Sequence, residues 1–168
     1  NRETPPVGHR RMGRSRRGPV VAFSQGSQDM SHVNASIGSL PYAVTLSTGV
    51  HRLTADEPVA MGGSEQGPTP HQLLLSSLAA CTSITLKMYA THQHWPLDGL
   101  DVTVAFARDE DDENIVVIDR TIALHGDLND AQTAALLDLA ERTPVTLTIK
   151  PGMPVRTELH RDAELEEV

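Results

Sequence analysis

The chain has few aromatic side chains and a single cysteine. Phe, Trp and Tyr together make up 3% of its 168 residues, so a core must be built from Leu, Val, Ile and Ala. Cys81, being alone, cannot close an intramolecular disulfide, which argues against the disulfide-stapled secreted class and for a reducing, cytoplasmic setting. The longest uncharged run, residues 72–86, is too short and too rich in Ser and Thr to read as a membrane span. The glycine pair at 62–63 lacks the Gly-Lys that a phosphate loop requires. The acidic run 109–113 lacks the spaced ligands and internal glycine of a calcium loop and reads as a solvated turn. His92 and His94 stand two apart at a helix end, where they share no face, and have no thiol or carboxylate at ligand spacing. No metal or cofactor is therefore expected.

What is present is unevenly charged. The net charge of −8 divides into +4 over residues 1–29, with six arginines against Glu3 and Asp29, and −12 over the remainder, with 8 basic and 20 acidic residues. Residues 1–29 are rich in Gly, Pro, Arg and Ser without apolar periodicity or a signal-peptide core, and read as a disordered basic extension. Such a segment suits either an arm for an acidic surface or a leader preceding the domain. Residues 30–168 are expected to form one domain, whose acidity argues against binding nucleic acid.

Within that domain two short alternating segments, 42–47 and 51–57, flank Gly49 and read as an antiparallel strand pair. A Gly/Pro loop, 61–70, follows. From Pro70 to about Thr91 no Gly or Pro interrupts, and Leu74, Leu78, Cys81, Thr85 and Met88 recur at helical spacing, which predicts a helix of five or six turns ended by Trp95-Pro96. Residues 100–108 and 114–126 read as strands joined by the acidic turn. Asn129 with Gln132 resembles a capping box and opens a second helix with Leu136, Leu137, Leu139 and Ala140 on its apolar side, stopping before Thr143-Pro144. Segments 145–149 and 155–159 read as closing strands. The order ββ-α-ββ-α-ββ predicts an α+β fold with an antiparallel-rich sheet. Small side chains at 76, 77, 79, 80, 82 and 83 surround the middle of the first helix, so it should be covered on most sides, by the second helix or by a partner subunit.

Cys81 admits two readings. Free cysteine is among the most buried residue types and packs as a small hydrophobe. A reactive thiol needs a depressed pKa, and its own helix cannot supply one. Cys81 lies roughly 16 Å beyond Pro70 at ~1.5 Å per residue, whereas the helix dipole acts within the first turn. A basic neighbour is then required. Between Met30 and Lys87 the only Lys or Arg is Arg52, which is either that neighbour or an ordinary exposed strand residue.

The stretches GPTPHQLLLSSLAAC, LKMYATHQHWPLDGLDV and GDLNDAQTAALLDLAERTPV, in order between about residues 40 and 159, resemble the OsmC/Ohr family of osmotically inducible and organic hydroperoxide resistance proteins, in its broader OsmC-like branch. The resemblance implies an intertwined homodimer with two central helices and sites at the subunit interface. It also implies thiol-dependent reduction of organic hydroperoxides, with Cys81 as the peroxidatic cysteine. The family's second, resolving cysteine is replaced by Thr143, and the glutamate that holds the family's catalytic arginine by His71. A hydroxyl cannot resolve a sulfenic acid, so an external thiol reductant is implied. The alternative is a non-catalytic relative that binds an apolar ligand at the dimer interface.

Overall fold

The computed structural model describes residues 32–39 and 41–160; the basic extension lies outside them. Among the described residues five strands and three α-helices run in the order β1 (Asn34–Ile37), β2 (Val44–Thr48), β3 (His51–Ala55), α1 (Pro70–His92), β4 (Gly99–Arg108), β5 (Val116–His125), α2 (Asp130–Ala140) and α3 (Pro144–Ile149). All strand pairing among the described residues is antiparallel, as the sequence predicts, but it falls into two sheets, β1-β2-β3 and β4-β5. Strand β1 has no counterpart among the expected elements. All four of its residues are exposed, so no buried face imposes an alternating pattern on the sequence.

Both long helices begin on capping boxes. Thr69 accepts from the Gln72 N–H while the Gln72 side chain accepts from the Thr69 N–H, and Asn129 and Gln132 do the same before α2. Pro70 occupies the first position of α1, where its missing N–H costs nothing. At the other end Lys87 donates to the Asp98 carbonyl at 3.0 Å, and Trp95 packs edge-on to Tyr89 with centroids 5.4 Å apart. These contacts fold the chain back from the end of α1 into β4.

The core lies where α1 and α2 meet the β4-β5 ribbon. Leu86, Ala90, Leu97, Leu136 and Ala140 are buried there, with Leu100, Ile122 and Leu124 of the ribbon packed against them. A two-stranded ribbon is marginal alone, so this helical cover is what sustains it. The buried side of α1 consists of Leu78, Thr82, Thr85, Leu86 and Ala90, rotated from the apolar register that the sequence suggests. Leu74, Ile84 and Met88 remain exposed, so within the chain the helix is covered on one side only. By length and composition α1 could cross a membrane, a property not evident from the shorter uncharged run. In this fold it packs against β4, α2 and α3.

The expected closing strands are absent from the described residues. Residues 145–149 lie in α3, because Thr143 is extended and Pro144 sets the first helical turn, which overrides the β propensity of alternating Val, Thr and Ile. Residues 155–159 carry no regular structure, and Val155 and Leu159 are exposed. Neither sheet pairs with them.

Candidate functional site

Cys81 sits at mid-length on α1, half-buried, beside the buried Thr82. The Thr82 hydroxyl donates to the Leu78 carbonyl at 2.8 Å and accepts from Arg120 at 3.1 Å. Arg120 belongs to β5, on the inward phase shared with Ile118, Ile122 and Leu124, and its side chain is 10% exposed. The same guanidinium nitrogen donates to Thr146 on α3 at 2.9 Å, and the other terminal nitrogen donates to Glu141 at 3.0 Å. Lys150 holds the second Glu141 oxygen at 2.6 Å. The hydrogen bond from Lys150, then the charges of Lys150 and Arg120, keep the Glu141 carboxyl below its ordinary range.

Thr143 is fully buried and lies 2.7 Å from the Thr146 hydroxyl. Thr146 directs its one proton to the Ala140 carbonyl at 3.3 Å, which leaves Thr143 as donor to Thr146. A polar network thus joins α1, β5, the end of α2 and α3 one residue from the cysteine. Sequence reasoning missed Arg120, although a signal existed: an arginine in the core-facing phase of an alternating strand needs buried partners.

The other predicted site residues stand on other parts of the fold. Arg52 is exposed on β3, opposite Ser47 of β2. Among the described residues no hydrogen bond joins it to α1. His71 is exposed in the first turn of α1, edge-on to Phe106 with centroids 5.6 Å apart. It lies about 15 Å along the helix axis from Cys81 at ~1.5 Å per residue. Cys81 and His71 thus stand well apart on one helix, and Arg52 lies on a separate sheet. Among the described residues no three His, Cys, Asp or Glu side chains gather as a metal site.

The segment that leads into α1 is built around Asp56, which is buried at the end of β3 and accepts backbone N–H groups from Glu57, Ser64 and Gln66. Those hydrogen bonds, with that of Gln66 the largest influence, hold its carboxyl below the ordinary 3.8.

Residues 62–158 match the family model described as OsmC-like protein. The chain belongs to the OsmC-like family. Its fold is similar to that of an OsmC-like protein from Mycoplasma pneumoniae, with a TM-score of 0.61 at 19% identity over 74% of this chain and 89% of that one. A Psychrobacter arcticus protein provisionally assigned to osmotic stress induction and detoxification response gives the same TM-score of 0.61 and identity of 19%, over 74% of this chain and 92% of that one. A Vibrio cholerae protein provisionally assigned to organic hydroperoxide resistance, with captopril in one of its active sites, gives a TM-score of 0.53 at 24% identity over 76% and 88%. No curated protein matches the chain.

Proposed function

We propose that this OsmC-like protein reduces organic hydroperoxides through Cys81, with an external thiol as reductant. The carrying observation is the placement of the chain's only thiol, half-buried at mid-length on the central helix of an OsmC-like fold, next to a fixed polar network. The organic hydroperoxide resistance assigned to the Vibrio cholerae relative supports the same reading.

The chemistry closes with one cysteine. The Cys81 thiolate attacks the distal peroxide oxygen, the O–O bond breaks, and the alcohol leaves with a proton as cysteine sulfenic acid forms. An external thiol then condenses with the sulfenic acid, releasing water and leaving a mixed disulfide. A second external thiol attacks that disulfide, regenerates Cys81 and departs as the oxidised reductant. Thr143 takes no part, since its hydroxyl cannot perform the first condensation.

The working unit in this reading is a homodimer. Leu74, Ile84 and Met88 leave one side of α1 uncovered, and among the described residues both sheets end in unpaired strands, which proteins ordinarily cover or pair. A second copy on this side would screen Cys81 from water, and in this reading Arg52 is the guanidinium that meets the thiol. Sulfenic acid at Cys81, trapped by a dione probe after cumene hydroperoxide and dependent on added thiol for turnover, is the deciding experiment. A folded chain whose Cys81 stays unmodified while the unfolded chain oxidises would move the assignment to apolar ligand binding at the same helix face.

A further inference from the structure

Asp56 does more than end a strand. Its Oδ1 accepts the Glu57 N–H at 2.8 Å, and its Oδ2 accepts those of Ser64 and Gln66, both at 3.1 Å, in a place where the residue is 1% exposed. The Asp56 N–H donates to the Pro68 carbonyl at 3.2 Å, and the Glu65 N–H to the Glu57 carbonyl at 3.3 Å. Residues 56–68 thereby close into a ring whose two ends meet between β3 and the cap of α1.

The ring tolerates no added bulk at two points. A Cβ on Gly63 would stand 1.9 Å from the Glu57 carbonyl oxygen, and one on Gly67 would stand 2.1 Å from that of Thr54. Both neighbours are backbone, so they cannot yield by a rotamer change. Opening the ring would leave the buried Asp56 carboxylate without its three N–H donors unless water replaced them.

The placement gives the ring a mechanical role. Helix α1 packs on β4, α2 and α3, whereas the β1-β2-β3 sheet pairs chiefly within itself and has no comparable packing on α1. The covalent path between the two is this ring. We infer that Asp56 is a positioning residue that fixes how the β1-β2-β3 sheet, and with it Arg52, is carried relative to the helix bearing Cys81. The chemical consequence rests on the peroxidase reading; the positioning does not.

The test uses the full chain with Asp56→Asn, which keeps the shape but turns one acceptor oxygen into a donor facing other donors. Amide hydrogens of Ser64 and Gln66 should exchange at least tenfold faster, with those of Leu86 and Leu136 unchanged. Spin labels at Leu53→Cys and Met88→Cys in a Cys81→Ser background, diluted with unlabelled protein, should give a narrow distance distribution that Asp56→Asn broadens. With Cys81 retained and no labels, oxidation by cumene hydroperoxide should slow tenfold or more relative to mixed-disulfide formation with methyl methanethiosulfonate, a thiolate reaction that involves no peroxide. Gly67→Ala forces the ring open with Asp56 intact and should reproduce all three effects, which covers the case that Asp56→Asn does not fold. Unchanged exchange and an unchanged distance distribution overturn the inference. Absence of any oxidation in the parent overturns the peroxidase reading instead, and the exchange and distance results still decide the role of Asp56.

Discussion

Arg120 and Thr82 meet at 3.1 Å, so the turn of α1 that holds the only cysteine is pinned to strand β5 by a nearly buried guanidinium. That guanidinium has only one anion within the network, Glu141, and Glu141 is about half exposed. Its remaining partners are the hydroxyls of Thr82 and Thr146.

Arg120→Met should therefore be costly. It removes the donor from two buried hydroxyls and releases the end of α2 from β5, a loss of about 2–4 kcal/mol in urea unfolding. Glu141→Gln should cost no more than ~1 kcal/mol, since exposed ion pairs are worth little. Equal losses for the two variants would show that the charge pair, rather than the hydroxyl contacts, holds the junction.

Leu136 is fully buried between α1 and β5, whereas its neighbour Leu137 is 62% exposed. Leu136→Ala should cost about 2–5 kcal/mol by transfer and cavity formation, and Leu137→Ala under ~1 kcal/mol in unfolding of the chain. If the two variants unfold at the same midpoint, the packing of α2 differs from that described.

Acid should act through Asp56. Its folded pKa lies below the unfolded value because of the N–H groups of Gln66, Glu57 and Ser64. The stability this contributes is complete above the unfolded value of about 3.8 and is lost as pH falls through the folded value. Glu141 carries a shift of the same sign, chiefly from its hydrogen bond with Lys150, and adds to the same acid limb. Unfolding midpoints of the parent should fall below about pH 4, and Asp56→Asn should be less stable at pH 6 yet lose less on acidification. Parallel pH curves for parent and variant would contradict the assignment.

Legibility follows the range of the interactions. The Asn129/Gln132 capping box, the β2-β3 and β4-β5 hairpins and both long helices depend on neighbours a few residues apart and can be read from spacing. The segment 145–149 reads as a strand because its β-branched alternation competes with a proline helix start, and in the fold the proline prevails. Strand β1 escapes sequence reasoning because both of its faces are exposed. Cys81 is legible as a candidate, but its fixed surroundings are not. Arg120 is 38 residues from Thr82 and 26 from Thr146, a separation no local pattern encodes.

Thr143 is buried against Thr146 on the α3 side of the network, and α3 packs on α1, the helix of Cys81. In the parent, sulfenic acid at Cys81 finds no thiol within the chain, so excess cumene hydroperoxide should carry it onward, with mass gains of one and then two oxygens. Thr143→Cys removes one hydroxyl donor to Thr146, a cost of about 1 kcal/mol, and supplies a thiol from the same helical junction. If its Cα falls within the ~4.4–6.8 Å that a disulfide spans, equimolar cumene hydroperoxide should yield an internal disulfide. The intact mass of that product would show the loss of two hydrogens and no retained oxygen. The variant should also survive hydroperoxide excess that drives the parent to sulfinic acid, and an added thiol should restore both thiols of the variant. Continued gain of oxygen at Cys81 in the variant, with the introduced thiol still open to alkylation after unfolding, would show that this fold holds the two positions out of reach.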